Sequence, residues 1–393
     1  MNRKILDKAV QDYISSHLNA DVNQIALSKS PFADVSSAEL ANQISAKKKS
    51  QKKLPTWFNT DGIYYPPTLS IEQTSSEITA KYKSGLVEGE NLIDLTGGFG
   101  VDSYYFSKTV SQVTHCEINV ELSEIANINA KALKVKNITF EAKDGLELLK
   151  NKDSFDTIYI DPARRATKGK VFMLKDCTPN VVGNLDILLE KSNRIIIKTA
   201  PLLDLTAGLQ ELKFVSEIHV VSIKNECKEL LWIIEKGFSK ELKITAATIN
   251  DETKLFSFSK SELNCSPTLA KEINNFSYLY EPDAALLKSG AFNLIGNRYN
   301  LEKLHNQTQL YVSDNKETRF PGRIFKINEI LSSSDLKKQK FLVGNVVVRN
   351  YPAKAEELTK KFKIKSDDTK FLIFTKNSKE ENIVINAEII QHY

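Results

Sequence analysis

The sequence predicts an α/β fold: a mostly parallel sheet with an antiparallel last strand, a helical N-terminal region and a small C-terminal α+β region. Three observations predict it. From residue 91, short apolar runs alternate with amphipathic stretches, the βαβα texture of a parallel sheet covered on both faces. A glycine-rich turn stands at the first strand-to-helix junction. Near residue 225 two strand-like runs are joined so briefly that only an antiparallel pair is possible.

The first ninety residues read as helical. RKILDKAVQDYISSHL places Ile5, Ala9, Val10, Tyr13 and Ile14 at helical spacing. DVSSAELANQISAKKKS offers Asp34 or Ser36 as an N-cap. The basic run KKKSQKK (47–53) reads as a solvated, mobile linker. In the loop after it, Trp57, Phe58, Tyr64 and Tyr65 read as a minor core. SIEQTSSEITAKYKSGL (70–86) reads as one more helix, stopped near Gly85. The strands then follow as NLIDL, QVTHCEI, NITFEAKD, FDTIYID and RIIIKTA, each ahead of a helical stretch. FVSEIHVVSIK and ELLWIIEKG close the sheet, with Glu226, Lys228 and Glu229 as polar cover at their turn. Beyond Gly237 come a hairpin (ELKITAATINDETKLFSFSK) and a helical piece (EPDAALLKSGAFNLIG) whose cap is Asp283. Strands GRIFKI and KFLVGNVVVRN, helix PAKAEELTKKF with Pro352 near its first turn, and strands KFLIFT and NIVINAEII complete the chain.

A length of 393 residues suggests two or three domains at roughly 100–200 residues each. The divisions expected are a helical cap at 1–85, the α/β domain at 86–237, a hairpin and small segment at 238–320, and an α+β domain at 321–393. Apolar residues at 41% and charged residues at 26% fit a globular protein with a real core. No apolar run approaches the ~20 residues of a membrane span. The polar, acid-bearing N-terminus argues against a signal peptide. The four cysteines are far apart and form no Cys-x-x-Cys pair, which indicates reduced thiols, a cytoplasmic location and no structural zinc. The five histidines do not cluster, so no metal is expected. The net charge of +5 is uneven: residues 1–90 carry +1, 91–237 carry −1, and the remainder +5. A basic C-terminal third suits a phosphate-rich partner.

LIDLTGGFGVDS (92–103) holds Asp94, Thr96, Gly97, Gly98 and Gly100 at the first strand-to-helix turn. Glycine lets backbone approach a ligand closely. A phosphate-binding P-loop needs Gly-Lys-Ser/Thr, and no lysine is present. A nicotinamide fingerprint needs Gly-x-Gly-x-x-Gly, whereas the order here is Gly-Gly-x-Gly. S-adenosylmethionine remains, with an amino-acid end and a ribose for acids and backbone groups to hold. Glu117 ends the second strand 23 residues after Asp94, near the ~20-residue offset of a ribose-binding acid. Asp144 and Gly145 follow the third strand, within reach of an adenine edge.

DLTGGFGVDS, CEIN, KDG and IDPARR, in this order, resemble motifs of class I S-adenosylmethionine-dependent methyltransferases with their Rossmann-like sheet, over roughly 90–237. EQTSSEITAKYK resembles the helix that covers the methionine end of the cofactor in many RNA and DNA members. The whole layout resembles a bacterial family of such enzymes with a ferredoxin-like segment and a C-terminal THUMP-like domain, a domain type found in RNA-modifying enzymes.

The resemblance implies that the tip of the fourth strand faces the methyl group. Members that methylate base amino groups carry Asp/Asn-Pro-Pro-aromatic there. The acid and the carbonyl after it orient the target NH2, and proline fixes that carbonyl. Asp161 and Pro162 match this pattern; Ala163 and Arg164 depart from it. An arginine can still stack on a base through its planar face. Arg164, Arg165, Lys168 and Lys170 would rim the pocket where RNA phosphates lie. Uracil C5 enzymes need a downstream cysteine nucleophile, and IIIKTAPLLD offers none.

The expectation is therefore methyl transfer to structured RNA, with a purine amino group as the target. Asp161 and Pro162 would serve catalysis; Asp94, Thr96, Gly97, Gly98, Gly100, Glu117, Asp144 and Gly145 the cofactor; Arg164, Arg165 and Lys168 the substrate. The altered Ala163-Arg164 pair keeps open a catalytically silent RNA-binding protein, and a protein or small-molecule methyltransferase is the third reading.

Overall fold

The computed structural model describes residues 1–164, 173–339 and 341–393, and divides into two compact units, Met1–Val215 with Trp232–Ser239, and Ser216–Leu231 with Lys240–Tyr393.

The first unit opens with helices α1 (Lys8–Ser16), α2 (Val22–Leu27), α3 (Ser37–Lys53), α4 (Pro55–Phe58), α5 (Thr68–Gln73) and α6 (Glu77–Ser84). Ser36 starts α3 through a capping box with Glu39, whose carboxylate accepts the Ser36 N–H at 2.8 Å. The run 47–53 is not the expected linker; it forms the last turns of α3. Lysine is a good helix former, and Lys47 is buried with its ammonium 2.8 Å from Ser15 Oγ. Segment 70–86 is two helices rather than one. Ser76 caps α6, its hydroxyl accepting the Thr79 N–H at 3.2 Å, so the helix restarts there and residues 74–76 form a break. Ile14, Leu40, Ile44, Trp57, Tyr64 and Tyr65 are buried in one apolar cluster that also takes in Phe99 and Ile125.

The sheet elements follow: β1 (Asn91–Asp94), α7 (Val101–Phe106), β2 (Gln112–Cys116), α8 (Val120–Ala132), β3 (Ile138–Glu141), α9 (Gly145–Lys150), β4 (Thr157–Ile160), β5 (Ala163–Arg164), β6 (Cys177–Thr178), α10 (Leu185–Lys191), β7 (Arg194–Thr199) and α11 (Leu205–Glu211). Strands β7, β4, β1, β2 and β3 lie side by side in that order, all parallel. The centres of β1, β4 and β7 are apolar on both faces, as at Leu92, Ile93, Ile158, Ile160 and Ile196, all fully buried. Their acids therefore collect at the carboxyl ends. The small β5–β6 ladder pairs Ala163 with Thr178 and Arg164 with Cys177, tying the chain beyond β4 to a later loop.

β8 (Val215–Ile223) and β9 (Glu226–Glu235) fall mostly in the second unit. They turn on Lys224 and Asn225, both left-handed at φ 48° and 62°, the two-residue geometry that joins antiparallel strands. Glu226, Lys228 and Glu229 lie in β9 itself, not in the turn as expected. The last four residues of β9, in the first unit, lie against β7: the Trp232 indole donates to Thr199 Oγ1 at 3.0 Å.

In the second unit β10 (Lys243–Ile249) runs parallel to β8 and antiparallel to β11 (Thr253–Ser259). The elements β12 (Tyr278–Pro282), α12 (Ala284–Ser289), α13 (Phe292–Tyr299), β13 (Glu302–His305), β14 (Thr308–Ser313), β15 (Gly322–Ser332), α14 (Ser333–Lys338), β16 (Asn345–Val348), α15 (Ala355–Phe362), β17 (Lys370–Lys376) and β18 (Asn382–Gln391) complete it. Their strands form a second sheet in the order β13-β14-β12-β15-β18-β17-β16. Asp283 caps α12, its carboxylate accepting the Ala285 N–H at 2.8 Å. Pro352 lies just ahead of α15, whose N-cap is Lys354. No helix among the described residues is long and apolar enough to cross a membrane.

Candidate functional site

A cavity of about 630 Å³ opens in the first unit at the carboxyl ends of β1, β2, β3 and β4, where open α/β sheets bind ligands. Its floor is the glycine turn. Gly98 and Gly100 are left-handed, at φ 55° and 84°. A Cβ on Gly97 would meet the His115 ring at 2.3 Å, so only glycine lets the turn lie flat on β2. The three glycine amides are already engaged: Gly97 N–H donates to Cys116 O (2.7 Å), Gly98 N–H to Glu117 Oε2 (3.0 Å) and Gly100 N–H to Gly97 O (2.9 Å). These amides offer no cradle for a pyrophosphate.

The three acids have different surroundings. Glu117 lines the cavity, held rigid by the Gly98 N–H on one oxygen and the Asn119 N–H on the other at 2.8 Å. Asp144 also lines it; Oδ1 caps α9, accepting from Leu146 and Glu147, and Oδ2 has no partner among the described residues. Gly145 packs so closely that a Cβ would stand 2.6 Å from Leu95 O. Asp94 is turned away from the cavity wall. It is 1% exposed and accepts the Thr96 N–H (3.1 Å) and the Ser103 hydroxyl (2.7 Å), so it braces the turn from beneath. Burial pushes its carboxyl up to about 7; Ser103 opposes that shift and the neighbouring Asp102 charge adds to it. His115, directly paired with Asp94 in the β1–β2 register, is fully buried; neither ring nitrogen has a hydrogen-bond partner among the described residues. Burial lowers it to about 4.

The break between α5 and α6 supplies the opposite wall through Gln73, Thr74 and Ser75. Beneath it lies a buried polar network. Asp102 Oδ1 is 3.0 Å from the fully enclosed Lys83 ammonium, and Oδ2 accepts from Ser75 (2.8 Å) and Tyr159 (3.0 Å). Burial alone would raise the Asp102 carboxyl; the Lys83 and Lys198 charges overcome it and hold it below its ordinary value.

At the far end stands the tip of β4. Asp161 lines the cavity, its N–H donating to Thr96 Oγ1 at 2.7 Å, and Lys198 on β7 brings its ammonium to 2.5 Å from Oδ2. Oδ1 has no partner among the described residues. Pro162 is buried behind the wall, while Ala163 lies on it, facing Thr178, Pro179 and Asn180. Arg164 contributes backbone to the β5–β6 ladder. Arg165, Lys168 and Lys170 lie outside the described residues.

Sequence reasoning missed three features. Lys198 was visible as a charge ending the apolar run RIII. Ile118 was visible as an apolar residue right after the acid of CEIN; it lines the cavity while 71% exposed, a free apolar plate. Thr178, Pro179 and Asn180 gave no signal, because only the ladder brings them there. A further hollow of about 780 Å³ lies at the other end of the strands, around Glu88, Asp156 and Arg194. Arg194 is held there by Glu88 (3.0 Å) and Glu235 (2.6 Å), a structural clasp.

Comparison with known proteins places these observations. Residues 86–281 match the methyltransferase domain family, 278–321 a ferredoxin-like domain and 322–388 a THUMP domain-like family. The crystal structure of a presumed methyltransferase from Porphyromonas gingivalis W83 is similar over 99% of both chains, with 31% identity and a TM-score of 0.86. An uncharacterised RNA methyltransferase of Mycoplasma mobile is 31% identical over 185 residues, 43% of this chain and 50% of that protein. A tRNA (uracil(54)-C(5))-methyltransferase of Pyrococcus furiosus is 28% identical over 141 residues, 34% of each. The chain thus spans half the length or less of these two curated relatives.

Proposed function

The chain belongs to the class I methyltransferases that carry a ferredoxin-like segment and a C-terminal THUMP-like domain, and from that premise we propose that it transfers a methyl group from S-adenosylmethionine to structured RNA. One observation carries the reading: a single hollow gathers Glu117, Asp144 and Asp161 around a turn whose three glycine amides are already engaged. Its volume of about 630 Å³ lies within the ~300–1,000 Å³ typical of small-ligand sites. Donors and acceptors suit a nucleoside with an amino-acid tail better than one with a pyrophosphate.

The cofactor would supply an electrophilic methyl; the chain's residues do the rest. Glu117 would accept hydrogen bonds from the ribose hydroxyls. Asp144, through the Oδ2 left unpaired among the described residues, and Ile118 would hold the adenine end. Asp94 and Thr96 hold Gly97, Gly98 and Gly100 in shape for the amino-acid end, and Gly145 lets α9 close on β1. Asp161 Oδ1 accepts a hydrogen bond from the acceptor, and Pro162 fixes the backbone beside it. Arg164, Arg165 and Lys168 meet RNA phosphates. The divisions at 86–237, 238–320 and 321–393 then serve transfer, linkage and RNA binding, in a cytoplasmic protein.

The acceptor we propose is a heteroatom, a purine amino group, rather than a ring carbon. Carbon methylation of uracil requires a thiolate nucleophile. No cysteine lines the cavity among the described residues, and the nearby Cys177 is buried with its thiol directed at Met173 O, 3.8 Å away. The RNA substrate is supported by the Mycoplasma relative's description and the THUMP-like match.

Calorimetry with S-adenosylmethionine tests the first half; an absence of binding favours the silent RNA-binding reading. Tritiated methyl transfer into total RNA from a deletion strain, followed by nucleoside mass spectrometry, tests the second. Label appearing in protein or small molecules instead would replace RNA as the substrate.

A further inference from the structure

We propose that Lys198 is the positioning residue for methyl transfer, holding Asp161 so that one carboxylate oxygen alone faces the acceptor. The inference rests on the reading of the cavity given above.

The two residues are set level by the sheet. Ile160 pairs with Ile197 in the parallel β4–β7 register, so Asp161 and Lys198 each stand one residue further along, at adjacent carboxyl ends. Residues 195–197 of β7 are fully buried isoleucines. A lysine ending that run is placed against the local preference for apolar side chains. Its ammonium meets Asp161 Oδ2 at 2.5 Å, with the lysine side chain 14% exposed and the aspartate 33%.

Asp161 is thereby fixed at two points. Its N–H is held by Thr96 Oγ1 at 2.7 Å and its Oδ2 by Lys198. Oδ1, without a partner among the described residues, is what remains for a ligand in the cavity. Lys198 itself is not on the cavity wall, so it acts through Asp161 and not on the substrate.

The chemistry needs that arrangement. As the acceptor nitrogen's lone pair forms the new N–C bond, the S–C bonding pair returns to sulfur, and the surplus proton on nitrogen leaves to solvent past Asp161 Oδ1. A freely rotating carboxylate would present either oxygen in many orientations. A fixed one points the acceptor's lone pair along a single line, and a misplacement of ~1 Å costs about 100-fold in rate.

The test compares wild type, Lys198→Met and Lys198→Arg. Calorimetry with S-adenosylmethionine is run beside tritiated methyl transfer into total RNA from a deletion strain. Lys198→Met is expected to bind the cofactor within about threefold of wild type, to keep its KM for RNA within about threefold, and to lose about 100-fold in kcat. Lys198→Arg is expected to recover at least about tenfold of that loss, because the cation is restored. A merely structural ion pair would move cofactor binding and thermal unfolding together with rate. That pattern, or wild-type kcat in Lys198→Met, overturns the inference. Absence of label with wild-type protein overturns instead the RNA-methylation reading beneath it.

Discussion

Asp94 and His115 are register partners across the parallel β1–β2 ladder, and burial moves their protonation equilibria in opposite directions, the acid up to about 7 and the imidazole down to about 4. Native Asp94 holds its proton more tightly than the unfolded chain does. Its contribution to stability is complete below the ordinary aspartate range and is lost as pH rises toward 7. Native His115 holds its proton less tightly. Its contribution is complete above about 6.5 and is lost as pH falls toward 4. Each amounts to roughly 3–4 kcal/mol at about 1.4 kcal/mol per pH unit, and the windows overlap, so they largely cancel. His115→Leu should expose the Asp94 slope: stability falling by about 3 kcal/mol from pH 4 to 7 relative to wild type. Asp94→Asn should tilt the curve the other way. Urea unfolding across this range measures both, and parallel curves for wild type and variants would remove the claim.

Removal of the Lys83 charge should unfold more than the local helix. Lys83→Met leaves Asp102 buried without its cation and should cost about 3–5 kcal/mol in urea unfolding. The double variant with Asp102→Asn should recover much of that loss, because no uncompensated charge remains. A loss below about 1 kcal/mol in the single variant would mean that the pair is not buried as described.

Glu117→Ala removes the acceptor proposed for the ribose and also frees the Gly98 amide. Charge-assisted hydrogen bonds contribute about 1.5–3 kcal/mol each, so S-adenosylmethionine affinity should fall about 10–100-fold by calorimetry. Unchanged affinity would place the cofactor elsewhere.

Gly145→Ala puts a methyl group 2.6 Å from Leu95 O and 2.8 Å from Leu95 Cα, both backbone atoms. Either α9 or the end of β1 must move. Thermal unfolding should report a loss of about 1–3 kcal/mol, typical of overpacking. Cofactor affinity should fall with it, because Leu95 and Gly145 both line the cavity. A variant as stable and as tight-binding as wild type would contradict the close packing.

The sheet and its acids were legible in the sequence for a local reason. Buried parallel strands are largely apolar, so acids such as Glu117 or Asp161 stand out just past their carboxyl ends. The direction of a side chain was not legible. Asp94 looked equivalent to Glu117 in the sequence, yet Ser103, nine residues on, claims its carboxylate from below. The lysines at 47–53 looked solvated because their charge is conspicuous, while the Ser36 cap that extends α3 through them lies far upstream. Lys198 could be linked to Asp161 only once the strand order set β7 beside β4. The wall at Thr178, Pro179 and Asn180 depends on a two-residue ladder that no periodicity announces.

That ladder makes the enzyme modular. On the proposed reading, the segment returning from β6 borders the acceptor side, whereas the turns after β1, β2 and β3 border the cofactor side. Substitutions in the returning segment can retune which nucleotide enters while the donor's seat is inherited intact. Diversification among descendants of this fold should therefore concentrate between residues 163 and 184, with the acid-bearing turns left alone.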